Sequence, residues 1–497
     1  MPGSEPGANA RVATGGVLWL TAAKFYFMLS GMALLLALPA FFKTFHPDGH
    51  VELYGDYRTV IGLVNWCNMV LIGGTIQAVS KFVSEAPGRT DSVKWQTLRI
   101  QTVIGGGLTV LILLGASPIA RWFYGDEALA PFLRMAAPVV LFYAWYAAII
   151  GCMNGLKRFR HQALMDIAFA TLKVGLTIGL VAAGLAITGA VGAFVVTAGV
   201  MLVVSWLLLG REGGDARVTW RQVLAFEGQT LVYAFLLNGV LQLDVQILKA
   251  FAPERLGDSS LQTGVYAAAL QIGQLPYVAT LSVAFVIFPL ISRSTFTADR
   301  ARTREYVRTT NRYSLLLLGA LATALSCNAG GLLGLVYPEE YMAGAPMLAV
   351  LSVGYALLAA AVINASILIA SGRPALAVAL FAVTLGVSAL LNVLLVPRLG
   401  GLGAAYAAAT AMAVSFVLAA TLSWHRFRVF VSVPTVLRIG LAAAVTWALG
   451  AFVIPEGGTV LTLGRGSLQF CAFWVVLVAT RELTKQDLAA ITAARRR

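Results

Sequence analysis

The 497-residue sequence carries little charge for its length and few of the side chains that build catalytic or metal sites. Only 12% of its residues are charged, about half the proportion typical of soluble globular proteins. So few charges cannot cover a water-facing surface, which excludes a soluble enzyme with a single anchor. The histidines lie in or beside predicted loops and the four cysteines lie far apart, so neither a zinc site nor a disulfide framework is predicted.

Sequence motifs of catalysis are also missing. The chain contains no Walker A sequence, no HExxH and no GxSxG, and its predicted loops are far too short for a catalytic domain. The sequence therefore predicts a protein that is not an enzyme and has no cofactor and no bound metal. The net charge of +14 would suggest nucleic-acid binding in a soluble protein, but in a membrane protein its distribution across the bilayer must be considered first.

What the sequence does have is long apolar runs. Apolar residues make up 59% of the chain and the mean hydropathy is +0.81. A helix needs about 20 apolar residues to cross the hydrocarbon core, and we predict an all-α polytopic membrane protein with about 14 transmembrane helices. The predicted spans are approximately 15–42, 59–80, 98–120, 132–153, 163–185, 187–209, 227–250, 264–291, 312–336, 345–370, 374–396, 402–423, 434–454 and 459–480.

The distribution of positive charge predicts the orientation. With the N-terminus in the cytoplasm, 26 of the 36 lysines and arginines fall on the inner side and 8 on the outer side. This asymmetry follows the positive-inside rule and predicts that both termini are cytoplasmic. The alternative interpretation of the first run as a cleaved signal peptide fits less well, because its 28 residues suit a full span.

Three short matches at similar offsets predict an internal duplication. One example is residues 189–193, which resemble residues 400–404 at an offset of 211. We predict two six-helix lobes related by a pseudo-two-fold axis, followed by an extra helix pair. The predicted domains are 1–210 (spans 1–6), 211–430 (spans 7–12), 431–480 (spans 13–14) and a cytoplasmic tail at 481–497.

Polar side chains inside the spans are candidates for a substrate site, because burying them in lipid is costly. Span 2 carries Arg58, Asn65, Asn68 and Thr75 on one helical face, and Gln274 of span 8 falls at the position equivalent to Asn65 in the duplication. Two interpretations remain open: hydrogen bonds between helices, or the wall of a wet cavity.

Span 7 has a similar face. It carries Asn238, Gln242, Gln246 and Lys249 at helical spacing, whereas Asp244 lies about 200° around an ideal helix from Gln242. Asp244 is either an ion-coupling site for a proton or cation, or the buried partner of a lysine.

Lys24 and Lys173 are the cations deepest in apolar sequence. Together with Arg58 they predict a cavity that attracts anions, since lysine binds phosphate as a compact point charge. The alternatives are snorkelling of Lys24 towards the interface and a structural pair between Lys173 and Asp166.

Several motifs resemble a known family. Tyr54-Gly55-Asp56-Tyr57 before span 2 and residues 77–85 at its end are similar to the opening of the polysaccharide-biosynthesis flippases. These belong to the multidrug/oligosaccharidyl-lipid/polysaccharide (MOP) exporter superfamily. Residues 371–374 and 400–405 resemble the eleventh and twelfth helices of that family. The family's proline near residues 73–75 is absent, as is the arginine cluster of dedicated lipid II flippases.

The resemblance implies two lobes around a central cationic cavity and a lipid-linked sugar as substrate. It predicts a flippase that moves a polyprenyl-pyrophosphate oligosaccharide across a bacterial inner membrane for cell-surface polysaccharide synthesis. Its expected partners are the lipid-linked glycan and membrane lipids, with a polysaccharide polymerase and glycosyltransferases as further candidates and no nucleic acid. The alternatives are a proton- or sodium-coupled multidrug exporter, a lipid II flippase, a membrane glycan-processing enzyme or a non-transporting scaffold.

Overall fold

The computed structural model describes residues 6–85, 88, 90–210, 219–280, 300–452 and 459–483. Every element within these ranges is helical and many of the helices are long and apolar, so the predicted all-α polytopic membrane fold is confirmed. The chain divides into two compact units, Met1–Gly264 and Val265–Arg497. The domain boundaries predicted at 210 and 430, and the symmetry between lobes, stay predictions.

The first unit is a bundle of long helices with short connections. A π-helical turn (Ile119–Phe123) and a 3-10 turn (Glu127–Leu129) lie between its third and fourth helices. The helices are α1 (Pro6–Phe45), α2 (His50–Glu85), α3 (Thr90–Pro118), α4 (Ala130–Ala136), α5 (Pro138–Gly155), α6 (Phe159–Leu180), α7 (Ala186–Leu209) and α8 (Trp220–Phe251). Helix α9 (Ser259–Gly273) begins in this unit and ends in the second.

Local sequence explains where two of these helices begin and end. Pro138 opens α5, where the missing N–H of proline has no helical partner to lose. Gly184 has φ +84°, which ends the helical path between α6 and α7 because only glycine adopts this conformation without strain. The continuous apolar stretch Phe159–Leu209 therefore forms two helices, as the predicted division between residues 185 and 187 requires.

Glycines allow α5 to pack closely on α2. A Cβ atom added to Gly151 would lie 2.7 Å from the Cβ of Val79, and one added to Gly155 would lie 2.6 Å from the Cβ of Val83. The two contacts are four residues apart on both helices, so the helices run side by side in the same direction. This packing fixes the face that α2 turns towards α5.

The second unit contains the remaining helices. The helix that ends at Cys327 and the helix that begins at Ala329 are bent by 75° relative to each other at Asn328. The side-chain amide of Asn328 donates to the carbonyl of Ala324 and to the side-chain oxygen of Gln469. The helices are α10 (Arg300–Cys327), α11 (Ala329–Val336), α12 (Ala345–Ala370), α13 (Pro374–Leu399), α14 (Gly401–Phe427), α15 (Val433–Phe452) and α16 (Thr459–Ala479).

A buried carboxylate joins three helical segments of this unit. Glu482 follows α16 and is 3% exposed; its Oε1 lies 2.9 Å from Arg312 Nε on α10 and its Oε2 lies 2.7 Å from Arg438 Nη1 on α15. Thr435 donates its hydroxyl to the same carboxylate at 2.8 Å. Burial alone would raise the pKa of Glu482, but the hydrogen bonds from Arg438, Arg312 and Thr435 hold it below its usual value. The two C-terminal helices are thus tied to α10 by charge-assisted hydrogen bonds.

The number of spans is lower than predicted within the part of the chain that is described. Ten helical stretches are long and apolar enough to cross a membrane, or eleven if the bent pair α10–α11 counts as one span. Helices α6 and α7 form one of these stretches, the predicted span 264–291 continues past the described residues, and the apolar part of α16 is short. The total of fourteen stays a prediction.

The predicted spans 15–42 and 59–80 leave residues 43–58 as a loop, and this prediction is wrong. Helix α2 begins at His50, so the helix continues well beyond the predicted apolar span. Arg58 is therefore part of a helix and not of a loop end. Asp56 in this stretch pairs with Lys249 of α8, and this contact stabilises helix where hydropathy alone predicts a loop.

Candidate functional site

Helix α8 of the first unit faces the neighbouring helix α2 through two amide side chains. Gly62 of α2 provides the space: a Cβ atom there would lie 2.7 Å from Gln246 Nε2 and 3.3 Å from Gln242 Oε1. Gln246 Nε2 also donates to the carbonyl of Thr59 at 3.3 Å. The structure thus brings Gln242 and Gln246 together against α2, as their spacing of four residues predicts.

Gln246 has partners at both ends of its amide. Besides its bond to α2, its side-chain oxygen accepts the hydroxyl of Tyr124, which lies in the turn after α3. Burial raises the pKa of Tyr124, so this phenol stays protonated and donates at all physiological pH values. Gln246 is only 3% exposed, and its role in the described structure is to join α2, α8 and the turn.

Beyond this pair lies an ion cluster that sequence reasoning missed. Lys249 of α8 is fully buried, and its Nζ lies 2.9 Å from Asp56 Oδ1 and 2.8 Å from Asp126 Oδ2. The same ammonium group donates to the hydroxyl of Ser260 in the first turn of α9. The cluster joins α2, α8, α9 and the 3-10 turn, whose N-cap is Asp126. Two carboxylates share one ammonium group, so the three side chains together carry one negative charge.

The partners of Lys249 are distant in sequence. Asp56 is 193 residues away and Asp126 is 123 residues away, so spacing along one helix could not pair them. The sequence signal that could have indicated this site is Gly55-Asp56-Tyr57. In the sequence it is interpreted as part of a family motif, and Asp56 is not paired with a lysine. Gly55 is required beside it, because a Cβ atom there would overlap the carbonyl oxygen of Ser260.

The predicted face of α2 divides into two kinds of residue. Thr75 is buried and accepts a hydrogen bond from Gln101 Nε2 of α3 at 2.7 Å, which is the interhelical bonding predicted as one interpretation. Asn68 is 2% exposed, and neither its amide nitrogen nor its oxygen has a hydrogen-bond partner among the described residues. Arg58 and Asn65 are half-buried on the same helix. On this face, Asn68 is therefore a residue whose side-chain nitrogen and oxygen could both form hydrogen bonds with a ligand.

Asn238 and Asp244 occupy different environments on α8. Asn238 is half-buried and donates to the carbonyl of Ala234 one turn earlier, at 2.9 Å. Asp244 is fully buried, and its Oδ1 accepts the backbone N–H of Val245 at 2.8 Å. The ion-coupling role of Asp244 stays a prediction.

Lys173 of α6 lies against aromatic rings. Its Nζ is 4.0 Å from the centroid of the Phe194 ring on α7, within the range of a cation–π interaction. Phe194 in turn contacts Tyr143 of α5, with ring centroids 5.6 Å apart. No ion pair links Lys173 to Asp166 in the part of the first unit that is described. The alternative of a structural pair with Asp166 is thus not seen among these residues, and the role of Lys173 in binding an anion stays a prediction.

Two further predicted site residues, Lys24 and Gln274, have no described contact with the residues of this site. The side chain of Lys24 lies outside the described residues, although its backbone belongs to α1. Gln274 is half-buried in the second unit, in the turn that follows α9. Their roles stay predictions.

In contrast to Asn68, the buried amide of Asn364 in the second unit has partners at both its nitrogen and its oxygen. Asn364 Nδ2 donates to Asn311 Oδ1 at 2.7 Å and Ser423 donates to Asn364 Oδ1 at 2.7 Å. This network links α10, α12 and α14 by side chains alone and explains why they pack with polar groups inside.

Within the described ranges, no cluster of three or more His, Cys, Asp or Glu side chains could hold a metal ion.

Comparison with solved structures shows which known proteins share this fold. The fold is similar to that of "Lipid II flippase MurJ, inward closed conformation", with a TM-score of 0.76 and 12% identity over 94% of this chain and 99% of that chain. It is also similar to a MOP superfamily transporter from Pyrococcus furiosus Vc1 (DSM3638), with a TM-score of 0.62 and 15% identity over 84% and 96% of the two chains. An inward-facing multidrug resistance MATE family transporter gives a TM-score of 0.62 at 15% identity over 81% and 94%. The chain shares the fold of these three proteins.

Sequence comparison is more specific. Residues 50–295 match the family described as "Polysaccharide biosynthesis protein", so the predicted resemblance is confirmed. The "Uncharacterized membrane protein YabM" of Bacillus subtilis (strain 168) is 28% identical over 358 residues, which are 66% of this chain and 64% of that protein. The match thus spans just under two thirds of the length of this relative.

Proposed function

We propose that the protein is a flippase that moves a lipid-linked oligosaccharide, carried on polyprenyl pyrophosphate, across the bacterial inner membrane by alternating access. Its termini are cytoplasmic in this proposal, no covalent bond is made or broken, and the glycan supplies cell-surface polysaccharide synthesis. One observation carries the proposal: residues 50–295, which match the polysaccharide biosynthesis family, include both α2 and α8, and two glutamines of α8 lie against α2.

Amide side chains suit a sugar substrate. Each carboxamide both donates and accepts hydrogen bonds, which matches the hydroxyl groups of a glycan. Gln242 and Asn65 are half-buried, and Asn68 has unused donor and acceptor atoms, so these three are the proposed sugar contacts. Gln246 supports them by fixing α8 to α2, while Asn238 and Gln274 are proposed as further contacts.

The proposed contacts of the pyrophosphate are cations. Lys173 rests on an aromatic ring and not on a carboxylate, so its charge is not neutralised by the contacts described for it. Lys24 and Arg58 complete the proposed anion site. A negative-inside potential of 100 mV favours the export of two negative charges by about 4.6 kcal/mol, since each charge contributes about 2.3 kcal/mol. The membrane potential could therefore drive transport without ATP.

The test is translocation in reconstituted vesicles. Fluorescent oligosaccharide linked to undecaprenyl pyrophosphate is placed in the inner leaflet, and its arrival outside is followed with a membrane-impermeant quencher. We expect Lys173→Gln to slow translocation at least tenfold. The matched control is Lys81→Gln, because Lys81 also lies over a phenylalanine ring, 5.8 Å from its centroid, but is exposed. Equal rates in protein-containing and empty vesicles, with or without a membrane potential, contradict the proposal.

The same preparation tests the alternatives. A proton- or sodium-coupled multidrug exporter requires ion-driven export of organic cations that Asp244→Asn abolishes. A lipid II flippase requires a clear preference for lipid II over other lipid-linked glycans. The likeness to the MurJ structure is one of fold at 12% identity and does not by itself favour that substrate.

A further inference from the structure

An apolar groove lies on the surface of the first unit between α5 and α7. Its volume is about 270 Å³, and it is lined by Trp145, Leu202, Val203, Trp206 and Leu207. The indole N–H of Trp145, a polar atom among these side chains, donates to the hydroxyl of Thr102 at 3.0 Å. The groove therefore offers a ligand hydrocarbon contact and suits an alkyl chain.

One end of the groove has the aromatic composition of a membrane interface. Trp206 meets Trp95 of α3 edge to face, with ring centroids 5.7 Å apart. Lys94 Nζ lies 5.9 Å from the Trp206 ring and is 2.6 Å from Asp91, so its charge is already balanced. Tryptophans concentrate where hydrocarbon meets head groups, which places this end of the groove at the level of the lipid phosphates.

A basic turn is held at the same end. Residues 156–158 connect α5 to α6, and Arg158 Nη1 donates to the carbonyl of Leu209, two residues after the groove residue Leu207. Lys157 in this turn and Arg160 in the first turn of α6 are exposed, and no carboxylate within the described chain forms an ion pair with either. The end of the groove thus combines hydrocarbon contact with two exposed positive charges.

We propose that this groove binds an anionic glycerophospholipid, with one acyl chain between α5 and α7 and the head group at Lys157 and Arg160. Charge complementarity decides the occupant: a neutral phospholipid would gain nothing from the two cations, whereas an anionic one gains about fivefold in affinity from each. The site is formed entirely by the first unit and does not depend on the proposed transport function.

Fluorescence quenching tests the site directly on the full-length protein in nanodiscs. Phosphatidylcholine is replaced stepwise by phosphatidylglycerol or phosphatidylcholine with brominated acyl chains, which quench nearby tryptophans. The signal of Trp206 is the difference between wild type and Trp206→Phe, and Trp447→Phe, which removes another exposed tryptophan on α15, is the matched control. We expect Trp206 to be half-quenched at a five- to thirtyfold lower fraction of brominated phosphatidylglycerol than of brominated phosphatidylcholine.

Charge variants separate a specific site from general attraction. The double variant Lys157→Gln/Arg160→Gln should lose the preference for phosphatidylglycerol. The control Arg428→Gln/Arg426→Gln removes the same charge from exposed positions in the second unit and should retain it; Lys157 and Arg428 even share a left-handed backbone, with φ +58° and +55°. Equal quenching by both lipids in wild type, or an unchanged preference in Lys157→Gln/Arg160→Gln, overturns the proposal. Displacement of the quencher by a lipid-linked glycan but not by unbrominated phosphatidylglycerol would assign the groove to the substrate and also overturn it.

Discussion

Replacing Lys249 by methionine should destabilise the first unit more than replacing any exposed lysine. The substitution keeps most of the length of the side chain but removes the ammonium group that lies 2.9 Å from Asp56 and 2.8 Å from Asp126. Two carboxylates then face each other without a cation. Because Lys249 is fully buried, no water reaches its position in the intact structure to replace it.

The magnitude follows from the geometry. The two carboxylate oxygens contact the same nitrogen, so they are at most about 6 Å apart, and two unit charges at that distance repel by about 3 kcal/mol at an effective dielectric constant of about 20. Asp56 and Asp126 are partly exposed, which screens the repulsion, whereas the lost charge-assisted hydrogen bonds add to it. We expect a net loss of about 2–4 kcal/mol, within the range measured when one partner of a buried ion pair is removed.

Tryptophan fluorescence during heating of the protein in nanodiscs measures this loss. At about 2–4 °C per kcal/mol, the apparent unfolding temperature of Lys249→Met should fall by roughly 5–15 °C. The control Lys81→Met, at an exposed lysine, should change it little. Adding Asp56→Asn to Lys249→Met should restore part of the loss, because it removes the repulsion. An unfolding temperature like that of wild type, or no recovery in the double variant, would refute the electrostatic reasoning.

Three further predictions concern other parts of the molecule. Because the hydrogen bonds of Glu482 lower its pKa, its contribution to stability is complete above about pH 4.5 and is lost as the pH falls through the lowered value. The unfolding temperature of Glu482→Gln should therefore depend less on pH over this acidic range than that of wild type. Gly55→Ala should cost about 3 kcal/mol in the same heating assay because the methyl group overlaps the carbonyl of Ser260, whereas Gly31→Ala, with open space around it, should be neutral or stabilising. Asn68→Leu should stabilise the protein by about 1–3 kcal/mol by removing a buried amide without partners, yet slow glycan translocation; unchanged transport would exclude Asn68 as a sugar contact.

The candidate site shows where sequence reasoning succeeds. Gln242 and Gln246 are one helical turn apart, and helix geometry alone places them on one face, where the structure has them together against Gly62. The same periodicity grouped Asn68 with Thr75. Periodicity could not predict that Thr75 accepts a hydrogen bond from Gln101 while the amide of Asn68 has no hydrogen-bond partner among the described residues. This difference depends on which neighbouring helix each side chain meets.

The sequence by itself determined that this protein is surrounded by lipid and that its secondary structure is helical. Low charge and long apolar runs require lipid around the chain, and lipid permits helices because their backbone groups are satisfied internally. Local glycines and prolines also set several helix ends, such as the break at Gly184.

Only the tertiary structure decided which polar groups meet. Lys249 and Asp56 are 193 residues apart, and the contact between them exists because α2 and α8 pack side by side. Likewise, Lys173 lies over Phe194 and not beside Asp166, although a spacing of seven residues made the carboxylate one candidate partner. Side-chain periodicity fixes the direction in which a residue points along its own helix, but the charge, ring or empty space it meets there is supplied by another part of the chain.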